Sequence, residues 1–408
     1  MTQPEGGLDT VADASTPDTT ADETTVDDAA TPRRRWCRGT WVAVALAATW
    51  LGLVCLHLLI SGRWWGWTFV DLAPPLIFAV VPLLILAAPA VLRLVRIRMP
   101  ARAVWWVAAT AVVSLLLGGG MSGINPHALA PDRTSPAPPD ALQVLAWNVE
   151  YWDQRVATDD VYAYLHSQQA DIYLLQEYLY WVDDGPQQID ELERLEQEFP
   201  DYEIAIVGEL VTISRYPIVA EHAIRLPSRP AAQYSDWDDY WQVKAQRTDI
   251  EVGTGLLSFY NIHAPTPIDV EAGPFAGRFY QYIRDAHEWR ADVFDALAAD
   301  VADNCHPMVV AGDFNTTPVM QQVPTLDSRL TDAISANRSW YPVTFAVPEN
   351  GLRLWRLDHA YTTDEVTVHE YEFLDQEGLS DHAAQRLVLS LDEAGSTAVG
   401  DCADPGSE

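Results

Sequence analysis

The sequence predicts a mixed α/β domain carried behind three membrane-spanning helices. Three observations predict it. Apolar stretches of membrane length fill the chain before residue 122, strand-like runs separated by helical patterns follow residue 141, and the charge divides between these halves. Of 408 residues, 58 are acidic and 25 basic, for a net charge of −33. Residues 1–102 hold nine of each sign, so residues 103–408 carry 49 acids against 16 bases and the whole net charge. No cluster of bases follows residue 133. A polyanion is repelled by such a surface, so strong nucleic-acid binding is not expected.

Residues 1–32 are rich in Thr, Asp, Ala and Pro and have no hydrophobic periodicity. They read as a disordered acidic tail, because so little apolar surface cannot offset the entropy of ordering. Residues 33–121 read as a three-span anchor. The stretches 41–61, 68–92 and 103–121 each supply the ~20 apolar residues that cross a hydrocarbon core. Arg33, Arg34, Arg35 and Arg38 precede the first stretch, and Arg93, Arg96, Arg98 and Arg102 fill the second loop, against Arg63 alone in the first loop. The positive-inside rule places the N-terminus in the cytoplasm and everything after Met121 outside the cell membrane. Trp64, Trp65, Trp67, Trp105 and Trp106 suit an interfacial belt. His57 and Asp71 read as residues near a headgroup boundary. An oxidising exterior permits a disulfide between Cys305 and Cys402, and no cysteine spacing suggests zinc.

Residues 122–140 read as a Pro-rich linker, 141–392 as the exported catalytic domain, and 393–408 as a C-terminal tail. Strands are expected at 142–147, 171–176, 202–207, 211–214, 256–262, 308–311 and 354–361. Helices are expected at 159–169, 187–199 and 277–302, so the strands form sheets covered by helices.

Six of these segments end in chemistry-bearing residues: Asn148 after WN, Glu177 in DIYLLQE, His263 in NIHAP, Asp313 and Asn315 in GDFN, Asp358 in LDH, and Asp381 and His382 in GLSDH. Such convergence at strand ends is how a cleft is assembled at the rim of a sheet. Alone, GDFN reads as a tight turn with an Asx cap. Six motifs in this order, with SRYPI at 214–218, resemble the endonuclease/exonuclease/phosphatase superfamily over about residues 141–392.

The resemblance implies a four-layer α/β sandwich, two packed sheets flanked by helices, and metal-dependent hydrolysis of a phosphoester or phosphoanhydride. It implies that Glu177, and less directly Asn148, bind Mg²⁺ (or Mn²⁺), with Asp381 completing the metal's shell or its water network. It implies that His382 takes a proton from the attacking water, that Asp358 orients His382, and that Asp313 positions the water. Asn315 and His263 would donate to phosphate oxygens. His359 reads as structural. A further acid or tyrosine is expected between the QE and NIHAP motifs, with Tyr178, Asp236, Asp238 and Asp239 as candidates.

The anchor followed by an exported domain also looks like the actinomycete teicoplanin-resistance membrane proteins. That likeness implies cleavage of a lipid-carrier pyrophosphate in the cell envelope, with lipid-linked or other phosphorylated substrates met at the membrane surface. A tethered nuclease, a phospholipid phosphodiesterase and a non-catalytic envelope binding protein on the same scaffold are the alternatives.

Overall fold

The computed structural model describes residues 36–129, 136–183, 185–226, 237–253, 255–269, 273, 275–321, 326–347, 351–376 and 378–392. The acidic tail 1–32 and the C-terminal tail 393–408 lie outside the described residues. So does Cys402; Cys305 is disulfide-bonded.

Three helices are long and apolar enough to cross a membrane: Arg38–Ile60, Ile77–Leu94 and Ala101–Ser122. They pack on one another through small and branched residues such as Ala43, Ala47 and Val107. Leu46, Leu84 and Leu116 point outward and are exposed. The second span is shorter than the apolar run suggests. Thr68–Asp71 forms a separate helical turn. Pro74 and Pro75 then stop a continuous helix before Ile77, because proline lacks the amide hydrogen and crowds the preceding turn. Pro82 and Pro89 are tolerated inside the span.

The domain that follows holds two six-stranded sheets. The first runs Val366–Leu374, Ala384–Leu391, Leu142–Asn148, Ile172–Gln176, Leu210–Ser214, Glu203–Val207 in spatial order. The second runs Thr331–Asp332, Asp358–Thr362, Met308–Asp313, Gly255–His263, Val243–Val252, Ile218–Arg225. Val144, Ala146, Leu174, Phe259, Val309 and Ala311 interleave between their inner faces. Val161 and Leu165 of helix Thr158–Gln168 and Leu195 of helix Leu192–Glu198 cover the first sheet. Phe294, Leu297 and Val301 of helix Gly277–Asp303 cover the second. This is the expected four-layer sandwich of two sheets between helices.

Some local expectations give way to tertiary packing. Residues 187–199 are not one helix, because Gly185–Gln188 pairs with Leu179–Val182 as a hairpin and the helix begins only at Leu192. The run 354–361 divides: Arg353–Trp355 joins a small two-stranded ribbon, whereas Asp358–Thr362 enters the second sheet. Strand Val243–Val252 escapes the hydrophobic pattern because its inward positions are polar. Gln246 meets Thr212 across the sheets at 2.9 Å, and Gln176 meets Asn261 at 2.7 Å. Each of these buried side chains thereby gains a partner across the sandwich, which the low interior dielectric favours.

Candidate active site

Two parallel pairs at the centre of the sandwich bring the motifs together. Strand Leu142–Asn148 lies parallel to Ile172–Gln176, and Gly255–His263 lies parallel to Met308–Asp313. Both pairs end at the same rim. In the second sheet the register sets His263 beside Asp313 and Asp313 beside Asp358. Close approach of these strands depends on Gly312. Its φ is +142°, and a Cβ there would sit 2.1 Å from the Ile262 carbonyl oxygen. Only glycine fits.

The backbone departs from ordinary conformations where the motifs turn into the cleft. Glu177 and Asn315 have φ of 60° and 46°, in the left-handed region that costs L-residues energy. Glu150, Tyr151 and Trp152 form a run of three more such residues. Strain of this kind concentrates at functional sites held by their surroundings.

Asp313 is the centre of the constellation and is wholly buried. Its Oδ1 accepts from the Asn315 amide at 2.8 Å. Its Oδ2 accepts from Asn315 Nδ2 and from Asn148 Nδ2, both at 3.1 Å. The same Oδ2 lies 3.7 Å from His382 Nε2 and 3.7 Å from His263 Nε2. Asn148 Nδ2 also donates to Glu177 Oε1 at 2.9 Å, so one amide clamps two carboxylates. Its oxygen accepts from the Glu150 amide. Asn148 thus spends its oxygen on the backbone and its nitrogen on holding Glu177 and Asp313. Asn315 likewise spends its side-chain nitrogen on Asp313 and on the Ala264 carbonyl.

His382 Nδ1 and Asp358 Oδ2 are 2.9 Å apart. Burial pushes the His382 imidazole down, but the carboxylates of Asp358 and Asp313 outweigh it and hold the ring well above its usual range. Asp313 itself is raised, by burial first and by the Asp358 charge, against the two histidines. Asp381 is raised to about 7, chiefly by burial, with Glu150, Glu177 and Asp313 adding repulsion. Glu177 is raised by burial, which His263 and Asn148 oppose. Asp381 and Glu177 keep 20% and 16% of their side chains exposed, so they mark the mouth of a cleft whose floor is Asp313 and Asp358.

The further acid expected between the QE and NIHAP motifs is Glu209, which sequence reasoning missed. It follows Gly208 in the turn between strands Glu203–Val207 and Leu210–Ser214. Glu209 Oε1 lies 3.0 Å from His263 Nδ1 and also pairs with Lys244. Glu209 is held down at about 2: burial would raise it, and His263 and Lys244 more than offset that. His263 is raised because Glu209 outweighs its burial. Lys244, the only lysine, packs its ammonium 3.6 Å from the Tyr240 ring centroid. A lone lysine in an otherwise arginine-using chain was the available signal. Among the four earlier candidates, Tyr178 packs in the core against Trp152, Asp239 pairs with Arg225, and Asp238 opens the short helix Asp238–Gln242. Asp236 lies outside the described residues. His359 bonds the Thr316 carbonyl and is pushed down to about 3 by burial and by Arg356, which fits a structural role.

A family model described as "Endonuclease/Exonuclease/phosphatase family" matches residues 145–382, more than half of the chain. The chain belongs to this family. Among curated proteins nothing matches the chain. Similar solved structures include a mannosyl-6-phosphatase from Bacteroides thetaiotaomicron, 16% identical over 61% of this chain and 100% of that one, with TM-score 0.44. They also include sphingomyelinase C from Streptomyces griseocarneus, 17% identical over 61% and 99%, with TM-score 0.43. A 3′ phosphatase from Neisseria bound to a product DNA hairpin is 16% identical over 62% and 100%, with TM-score 0.43.

Members of this family generally use divalent metals, and the residues present fit one. Asp313, Asp358 and His382 bring potential ligand atoms within 4.8 Å of one another. Asp358 Oδ1 is buried without a hydrogen-bond partner among the described residues. In this trio, however, His382 Nδ1 is already spent on Asp358. Glu177 and Asp381 at the mouth, with raised pKa values, are the carboxylates that a hard dication would relieve.

Proposed function

We propose that the chain is a membrane-tethered phosphohydrolase acting, on the extracytoplasmic side, on a lipid-linked phosphate or pyrophosphate such as undecaprenyl pyrophosphate. In this reading it serves the cell envelope in the manner of the teicoplanin-resistance membrane proteins that it resembles. One observation carries the lipid reading. The loop that starts at Asp313 is bound to the anchor four residues later, where Thr317 Oγ1 donates to the Asp71 carbonyl at 3.1 Å. Four residues span at most ~14 Å, so Asp313 lies within that distance of Thr317, the residue bonded to the loop that joins the first two spans. A phosphate presented at a bilayer surface is within reach of a site tethered so short.

In the proposed chemistry His382, oriented by Asp358, takes the proton of the attacking water, and Asp313 aligns that water. His263, whose ring the Glu209 carboxylate raises against burial, presents Nε2 between Glu177 and Asp313, where a phosphate oxygen gains charge. Asn315 and Asn148 keep the carboxylates fixed. Mg²⁺ or Mn²⁺ held by Glu177 and Asp381 would neutralise phosphate charge and stabilise the leaving oxygen.

The test is phosphate release from undecaprenyl pyrophosphate by the full chain in detergent or nanodiscs, beside an Asp313→Ala, His382→Ala double variant, with plasmid DNA and sphingomyelin in parallel. Metal-dependent release from the lipid, lost in the variant, supports the reading. Cleavage of DNA or sphingomyelin instead moves the function to a tethered nuclease or phosphodiesterase.

A further inference from the structure

His57 sits in the first span, yet it is fully buried and bonded to the catalytic domain. Trp67 Nε1 donates to His57 Nδ1 at 3.0 Å. An indole N–H can only donate, so Nδ1 accepts and Nε2 is free to donate its hydrogen to the Val319 carbonyl, 2.8 Å away. Val319 itself is wholly buried among Val54, Phe78 and Met121, where the three spans meet. Its backbone amide bonds Thr317 Oγ1, which in turn bonds the Asp71 carbonyl. Two residues on, the Gln321 amide donates to Ser61 Oγ at 3.3 Å.

The segment 316–321 is therefore seated on the anchor at three successive points. At its other end are Asp313 and Asn315. Between these ends Arg290, on helix Gly277–Asp303, donates to Thr316 Oγ1 and to the carbonyls of Phe314 and Pro265. One buried guanidinium thus ties the loop after Asp313 to the loop after His263. It also lies in the field of both Asp71 and Asp313.

We propose that the anchor is part of the scaffold of the active site, with His57 as a positioning residue that fixes Asp313 and Asn315 through the 316–321 segment. A segment held at one end only would let the Asp313 carboxylate wander, and misplacement of about 1 Å from a distant change costs on the order of a hundredfold in rate. The spans then do more than tether: the catalytic loop is complete only when the domain is docked on them. The kinetic arm of the test rests on the hydrolase reading; the exchange arm does not.

The experiment uses the full chain in nanodiscs with His57→Leu and His57→Gln. Glutamine keeps an amide donor for the Val319 carbonyl, whereas leucine has none. Hydrogen exchange at the amides of 314, 315, 319 and 321 should speed up at least tenfold in His57→Leu, while strand Val366–Leu374 stays protected. On a phosphoester that the wild type hydrolyses, kcat should fall at least tenfold with KM within twofold, and His57→Gln should recover much of both. Unchanged exchange at 314–321 in His57→Leu overturns the proposal. So does an equal rise across Val366–Leu374, which is general loosening, or a His57→Gln variant no better than His57→Leu. A wild type that hydrolyses no phosphoester would sink the hydrolase reading, and the exchange arm would still decide the role of His57.

Discussion

His382 Nδ1 and Asp358 Oδ2 are joined at 2.9 Å across the two sheets, with the other ring nitrogen, Nε2, turned to Asp313 Oδ2 at 3.7 Å. The pairing fixes which nitrogen is open to the cleft. Asp358→Asn keeps the shape but removes the charge that orients and polarises the ring. It should lower kcat about 10²–10⁴-fold, within the range for a disabled acid–base pair. The acidic limb of the rate profile should move to lower pH, because the carboxylate that raises His382 is gone. A pH series of kcat/KM on wild type and variant checks both.

Asp381 makes stability fall as pH rises. Its folded value of about 7 stands above the ~3.9 of an unfolded aspartate, so the native state holds the extra proton. The stability it contributes is fully present below pH ~4 and is lost as pH climbs to about 7. The loss amounts to about 4 kcal/mol at most. Melting curves of metal-free protein in EDTA should show this decline between pH 4 and 7, and Asp381→Asn should make it shallower, leaving the share that the raised Glu177 and Asp313 contribute.

Glu209 holds Lys244 and His263 in a buried set of charges. Glu209→Gln leaves the ammonium buried without its partner and should cost about 3–5 kcal/mol. A Glu209→Gln, Lys244→Met pair should recover part of that loss, because no unpaired charge is left behind. The same pair should not recover activity, since His263 no longer has the carboxylate at Nδ1 that orients it and raises it most. Thermal unfolding and rate, measured on the same preparations, separate the two effects.

Gly312→Ala would drive a methyl into the Ile262 carbonyl, and both atoms belong to paired strands that cannot part. Destabilisation of more than about 3 kcal/mol is expected, in the class of steric overpacking and forced backbone strain. Gly277→Ala, which meets nothing within 4 Å at the start of a helix, should be neutral or slightly stabilising. Unfolding midpoints of the two variants give the contrast.

Chelation should remove activity, and Mg²⁺ or Mn²⁺ should restore it. Glu177→Gln should weaken metal binding at least tenfold, because one hard anionic oxygen becomes a neutral amide. Titration of Mn²⁺ followed by its paramagnetic signal reads the affinity without any substrate. Equal affinity in wild type and variant would move the ion away from Glu177.

Much of this protein was written locally. Hydrophobic length declared three helices long and apolar enough to cross a membrane, and alternating and continuous apolar runs declared the central strands. The motifs at strand ends announced a cleft, because parallel strands leave their C-terminal residues side by side at one rim. Those features depend on neighbours in sequence, so a linear reading reaches them. It also named Asn148, Glu177, His263, Asp313, Asn315, Asp358, Asp381 and His382, which the fold brings into one constellation of direct bonds and charge–charge contacts.

Tertiary structure decided the rest. Glu209 carries no motif of its own; it matters only because a hairpin turn in the first sheet delivers it to a histidine of the second. Asn148 looked like a distant metal ligand, and only the packing of two sheets makes its amide a clamp between Glu177 and Asp313. His57 and Asp71 looked like boundary residues of a span, and the docking of 316–321 gives them partners more than 240 positions away. Periodicity and propensity encode what a segment is, whereas contacts between distant segments are settled by burial and by the need of each buried polar group for a partner.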